Sequence, residues 1–330
     1  MLNRKFGLIG DPLRGSRSPR LFGAAYGGKY PYELIEGADF EASWGRFVAE
    51  FDAVNVTAPF KELAFRRVAE ISGVVTGPVA RIGATNLLVK RQGSGEGQLG
   101  CWGGGEEQSG HHRPPVIEAH NSDFSGVVLS IAEAYLPGLT AECYRQFGDR
   151  AYIKVHQAAA QLIPSLFPEP PQALVVGCGG AGKAAAVAAA ELGFRTAIMN
   201  RTPEKAQAFA ESLREEYDFL PVPLSDFQGA LRECDLVIYT IPTAITALDE
   251  LTKEDFEGEN PDSGAPSKVI IEANYKNPSF REELKTKIEA AGAQYVPGTR
   301  WHLFQALAGY GIMTGEVPDI SALFSAAAGE

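Results

Sequence analysis

The stretch ALVVGCGGAGKAAAVAAAELG, residues 173–193, constrains the fold more than any other part of the chain. An apolar run, a glycine turn and an alanine-rich helical run follow in that order, with glycines at 177, 179 and 182. RTAIMN (195–200) then reads as a second strand. Strand, turn, helix and strand form the opening unit of a doubly wound parallel sheet, and G-x-G-x-x-G in that setting points to dinucleotide binding. Backbone N–H groups at Gly177, Gly179, Gly180, Ala181 and Gly182 can come close to a pyrophosphate, and the positive end of the helix faces the same charge. At the end of the second strand an NAD site usually carries a carboxylate for the ribose 2′-hydroxyl. Here stand Asn200, Arg201, Thr202 and, one turn later, Lys205. Cations at that place suit a 2′-phosphate, so NADP(H) is the expected cofactor.

The remainder alternates in the same way. KFGLIG (5–10), YELIEG (32–37), AVNVTAP (53–59), ATNLLVKR (84–91) and VIEAHNSD (116–123) read as strands. Residues 18–26, with Ser18 as N-cap and Pro19 in the first turn, read as a helix, as do 39–51, 61–71 and 124–136. Residues 93–110 hold eight glycines and little apolar content, which suits the tip of a hairpin. Between 137 and 171 only one helical run, near 154–163, stands out before the proline-rich link PEPPQ. After the glycine turn, 203–217 and 280–291 read as helices and LPVPL, DLVIYTIP, KVIIEANY and QYVPG as strands; WHLFQALAGYGI is a final helix. The expected class is α/β: an N-terminal α/β domain followed by a Rossmann-type, doubly wound parallel sheet domain.

Composition narrows the partners. A length of 330 residues suits two domains, and a formal charge of −11 argues against general binding to nucleic acid or to an anionic membrane. A small anionic ligand needs only local cations. The four cysteines are widely separated, no signal peptide precedes the first strand, and no uncharged run reaches about 18 apolar residues. A cytoplasmic monomer or homodimer is expected. His111 and His112 sit in the glycine-rich stretch without a third ligand at metal spacing, so no metal is expected.

The N-terminal segments carry the chemistry. In NVTAPFK, Pro59 ends a core strand and Lys61 opens a helical pattern. A lysine there lies at the carboxyl end of a strand, where open α/β sheets place ligands. IGDPLRGSRSP (9–19) offers Ser16 and Ser18 amid Arg14, Arg17 and Arg20, a set that suits a small carboxylate. These two pieces, with IGATN (82–86), HNSDFSG (120–126), GCGGAG and NRT in that order, resemble the shikimate dehydrogenase family. The resemblance covers most of the chain and breaks at 93–115 and 137–171, which read as insertions.

That resemblance implies further roles. Lys61 and Asp123 would be the catalytic pair. Ser16 and Ser18 would hold the substrate carboxylate, and Thr57, Asn86 and Asn121 would bond the carboxylate or ring hydroxyls. Tyr275 and Gln305 would complete the substrate pocket. Thr240 and Ile241 lie in the loop that faces the cofactor. The implied division is a substrate domain over 1–122, a cofactor domain over 123–298, and C-terminal helices over 299–330 that pack back on the first domain. The implied reaction is NADP-dependent reduction of 3-dehydroshikimate to shikimate in aromatic amino-acid biosynthesis. A quinate/shikimate-type dehydrogenase and a non-catalytic, ligand-sensing relative are the alternatives. The chain departs from the family pattern at Leu87, Ser122, 239–245, Glu272 and Trp301.

Overall fold

The protein's computed structural model describes residues 4–91, 115–258 and 265–328. The chain builds two six-stranded sheets with helices around them. The first contains β1 (Phe6–Gly10), β2 (Tyr32–Glu36), β3 (Ala53–Val56), β4 (Val74–Val75), β5 (Leu87–Arg91) and β6 (Val116–His120). Their order is β2-β1-β3-β5-β6-β4. β1 is buried along its whole length, as an apolar FGLIG run between two parallel neighbours requires. β5 runs antiparallel to both β3 and β6. Arg91 pairs with Val116, so β5 and β6 are joined as a hairpin; the glycine-rich stretch with His111 and His112 lies outside the described residues.

Four helices connect these strands: α1 (Ser18–Ala25), α2 (Phe40–Glu50), α3 (Lys61–Glu70) and α4 (Gly77–Ile82). Asp39 caps α2 by accepting from the N–H groups of Glu41 and Ala42. The cap expected at Ser18 is not found. Arg17 occupies that place, Ser18 is already helical, and its N–H donates to Ser16 Oγ at 3.3 Å.

α5 (Ser122–Tyr135) leaves the first sheet and runs through the centre of the molecule. Apolar residues occur on every side of it, and nearly every residue in it is buried, Asp123 included. Two helices follow, α6 (Leu139–Phe147) and α7 (Ala151–Leu162). Sequence periodicity reveals only the second. α6 is short, and a single apolar stripe in LTAECYRQF gives too few repeats to stand out. Among the described residues no single helix is long and apolar enough to cross a membrane.

The second sheet contains β7 (Gln172–Val176), β8 (Arg195–Met199), β9 (Leu220–Pro221), β10 (Leu236–Tyr239), β11 (Val269–Glu272) and β12 (Gln294–Val296). All its pairings are parallel, in the order β12-β11-β10-β7-β8-β9. The order reverses between β7 and β10, which marks the crevice where such sheets take ligands. α8 (Gly180–Glu191), α9 (Pro203–Ser212), α10 (Phe227–Glu233) and α11 (Glu282–Ala290) flank it. α12 (Gly298–Thr314) then returns along α5 to the first sheet, and α13 (Ile320–Ala328) packs on α1.

Two of the contacts between the halves stand out among the described residues. Arg81 of α4 reaches across to Glu191 at the end of α8, Nη1 to Oε1 3.0 Å, and to Glu216. Phe22 of α1 is fully buried and meets the ring of Tyr310 from α12 edge-on at 5.0 Å. Phe6, Tyr26 and Tyr32 surround the Phe22 ring. Replacing Phe22 with alanine should remove the socket for α12 and cost about 3–5 kcal/mol of stability. Urea unfolding measures this; a loss below about 1 kcal/mol would mean α12 is held by other contacts.

Candidate active site

The ends of β1 and β3 and the starts of α3 and α5 converge on one side of the first sheet. Thr57 follows β3, and its N–H donates to Ile9 O at 2.9 Å, which extends the strand ladder by one residue. Lys61 is the first residue of α3. Its carbonyl accepts from Thr85 N–H at 3.0 Å, tying the helix start to the segment before β5. Asn86 follows. Its Oδ1 accepts from Ser122 N–H at 2.6 Å and so ties that segment to the first turn of α5. This lattice of backbone bonds puts Asp123 opposite Lys61, and Lys61 Nζ donates to Asp123 Oδ2. The Asp123 side chain is 6% exposed and that of Lys61 22%.

The pair forms the floor of a cleft of about 180 Å³. Ser16, Ser18, Thr57 and Asn86 line it from the first sheet, and Tyr275 and Gln305 line it from the other side. Asn121 does not. Its Oδ1 caps α5 by accepting from Phe124 N–H at 3.0 Å, and its Nδ2 donates to Ala84 O at 3.0 Å. In this structure Asn121 thus serves the start of α5 and the segment before β5, and it does not line this cleft.

Several cleft residues carry no motif. Tyr310 donates its hydroxyl to Ser18 O at 3.2 Å and braces the serine loop; burial pushes its phenol well up, so it stays a donor. His302 stacks on Tyr275 at 4.7 Å. Arg14 and Lys276 lie at the rim. Trp301 donates its indole N–H to Asp123 O at 3.2 Å and is buried against Gly126, where a Cβ would meet its ring at 2.7 Å. Its value as a brace depends on a helix crossing that only coordinates reveal. Leu87 is fully buried and does not line the cleft, so that departure from the family pattern is a core residue.

A second cleft of about 460 Å³ opens beside the first, at the switch point of the parallel sheet. Gly177, Gly179, Gly180, Ala181 and Gly182 line it, as do Asn200, Arg201, Thr202 and Lys205. Thr240 and Ile241 close its far side. Gly182 is dictated by close approach, because a Cβ there would stand 2.0 Å from Gly177 O. A Cβ on Gly179 would meet nothing within 4 Å, so the outer face of the turn is open, with the N-terminus of α8 behind it. Asn200 fastens the turn to the end of β8: its Oδ1 accepts from Cys178 N–H at 3.1 Å and its Nδ2 donates to Thr202 O at 2.9 Å. Thr202 begins α9 but makes no side-chain cap. Arg201 and Lys205 form no ion pair among the described residues. An open glycine cradle at a helix N-terminus with two available cations beyond it fits a dinucleotide with a phosphorylated ribose.

Lys61 lines both clefts. Glu272, at the end of β11, is fully buried and accepts from Tyr295 Oη at 2.6 Å and from Ser279 N–H, which pins the loop that carries Tyr275. Replacing Gly182 with valine should abolish dinucleotide binding while the first cleft keeps its shape. Retention on immobilised adenosine 2′,5′-bisphosphate checks this; an unaltered variant would place the cofactor elsewhere.

The comparisons with known proteins point one way. A family model described as shikimate/quinate 5-dehydrogenase matches residues 161–262. The shikimate dehydrogenase (NADP(+)) of Archaeoglobus fulgidus is 26% identical over 341 residues, covering 97% of this chain and 96% of the relative. The shikimate dehydrogenase of Mycobacterium tuberculosis superposes with a TM-score of 0.68 at 24% identity, covering 99% of this chain and all of that one. A quinate dehydrogenase from Corynebacterium glutamicum, solved with NAD, also scores 0.68, at 20% identity and 98% of each chain. With two α/β domains, the family's motifs in order and relatives matched over nearly its whole length, the chain is similar to the shikimate dehydrogenase family throughout.

Proposed function

We propose that this protein catalyses the reversible, NADP-linked interconversion of 3-dehydroshikimate and shikimate. One observation carries the reading: Lys61, paired with Asp123, lines both the small polar cleft and the glycine-turn cleft. A proton donor at that junction serves a reaction in which a ring carbonyl and a dinucleotide meet.

When bound, the nicotinamide supplies the hydride for the carbonyl carbon. Lys61 Nζ gives its proton to the carbonyl oxygen, and its charge stabilises the alkoxide that develops there. In the reverse direction the amine takes the proton back from the ring hydroxyl. Asp123 holds the ammonium in place and accepts from a neighbouring ring hydroxyl. Ser16, Ser18 and Tyr275 take the carboxylate, and Thr57, Asn86 and Gln305 take the other hydroxyls. Asn86 is suited to this because Ser122 occupies its Oδ1, while its Nδ2 makes no bond among the described residues. Arg201 and Lys205 meet the 2′-phosphate.

The loop after β10 departs from the family pattern yet is well held. Tyr239 donates to Thr243 O at 2.7 Å, and Asn274 Nδ2 donates to Pro242 O at 3.0 Å. The side of the cofactor cleft formed by Thr240 and Ile241 is therefore built, whatever its sequence.

Replacing Lys61 with alanine should lower kcat by about 10²–10⁴-fold, with a far smaller effect on NADP⁺ affinity. Turnover is read from nicotinamide absorbance with shikimate and with quinate. A variant with full turnover would remove Lys61 from the chemistry. A wild type silent with both acids and either cofactor would leave a binding protein. Replacing Arg201 with alanine should raise KM for NADP⁺ at least about tenfold and leave KM for NAD⁺ unchanged. Equal loss with both cofactors would deny Arg201 the 2′-phosphate.

A further inference from the structure

The small cleft carries more positive charge than its catalytic pair accounts for. Lys61 and Asp123 cancel. Asp123 is the only carboxylate among the described lining residues, yet Arg14 and Lys276 line the cleft as well. Neither forms an ion pair among the described residues. The two cations come from opposite lips: Arg14 from the loop between β1 and α1, Lys276 from the loop after β11. Lys276 Nζ lies 4.0 Å from the point where a Cβ on Gly15 would stand, next to Arg14 in the chain. Gly15 has φ +75° and presents bare backbone to the ammonium.

Both lips are fastened. On one side Leu13 N–H donates to Glu36 Oε1 at 3.0 Å, and Ser16 N–H donates to Leu13 O at 3.0 Å. On the other, Asn274 Oδ1 accepts from the N–H groups of Lys276 and Asn277, both at 3.2 Å, and Glu272 anchors the loop end. The cations therefore stand on built loops and face the end of the cleft that holds Ser16, Ser18 and Tyr275.

We propose that Arg14 and Lys276 form a two-sided clamp for the substrate's anionic group. Empty, the lips carry like charges that repel one another. A carboxylate between them satisfies both, draws the lips together and couples substrate binding to closure over the second cleft. Arg14 and Lys276 thus select ring acids over uncharged ring alcohols, beyond what the two serines can do with hydrogen bonds alone. This assignment deepens the dehydrogenase reading, since it concerns the same cleft, but its charge logic stands apart from the reaction.

The test uses four proteins: the wild type, Arg14→Gln, Lys276→Gln and the double variant. Binding of cyclohexanecarboxylate and of cyclohexanemethanol is measured by ligand-observed NMR, and binding of shikimate by calorimetry. In the wild type the acid should bind more tightly than the alcohol, and added salt should narrow the gap. Each single variant should weaken the acid about fivefold, the equivalent of a solvent-exposed ion pair at the upper end of its usual range. The double variant should show no preference for the acid and no salt dependence, while NADP⁺ affinity stays at the wild-type value. Lys276→Arg should restore acid binding, which a merely structural role for the lysine would not predict. Acid affinity unchanged in the double variant, or a wild type that does not prefer the acid, would overturn the clamp. An acid preference that vanishes in the double variant, combined with a wild type that binds no shikimate, would keep the clamp and sink the shikimate reading instead.

Discussion

The ion pair between Lys61 and Asp123 sets the terms for the rest of the structure. A carboxylate buried to this degree is tolerable only if paired and held, because a lone buried charge is strongly destabilising. Asp123 is therefore fixed from several directions. Asn121 caps its helix, Asn86 binds the N–H of the residue before it, and Trp301 donates to its carbonyl. Lys61 is fixed by the start of α3 and by Thr85. The polar residues around the pair are mostly scaffolding for these two side chains, and the open groups that remain define where a ligand can go.

α5 and α12 connect this pair to the whole molecule. α5 begins at the floor of the small cleft and ends among the aromatic residues under the second sheet, where Tyr135 donates its hydroxyl to Asp235 O at 2.8 Å. α12 starts from the second sheet, contributes Trp301, His302 and Gln305 along its first turns, and ends against Phe22. Each helix thus touches both sheets. The site lies where they cross, so disturbing either helix is felt at the floor of the cleft.

Much of this was legible from residue order. The glycine turn, the strand after it and the residues Asn200 to Lys205 were readable because backbone proximity to phosphate demands particular residue types at close spacing. Lys61 stood out because a cation follows directly on a core strand end. The pairing of Lys61 with a carboxylate 62 positions later was implied only by the family's motifs. Asn121 shows that a conspicuous motif residue need not line the cleft: its amide caps α5 and bonds a partner carbonyl. Tyr310, Lys276 and Trp301 gave no local signal, since their positions depend on how α12 and the loop after β11 return to the first sheet. α4, α6 and α10 were missed because helices of two or three turns show too little periodicity to separate from loops.

The Arg81 bridge has a mechanical consequence. It grips α8 at Glu191, eleven residues beyond the glycine turn at the other end of the same helix, roughly 17 Å at 1.5 Å per residue. The glycine-turn end is held as well, because Lys183 in the first turn of α8 meets Glu62 of α3 at 3.6 Å. With both ends of one helix clasped by the opposite half, the phosphate cradle is braced as a strut is, and its spacing from the first sheet is set by two ion pairs rather than by the loop itself.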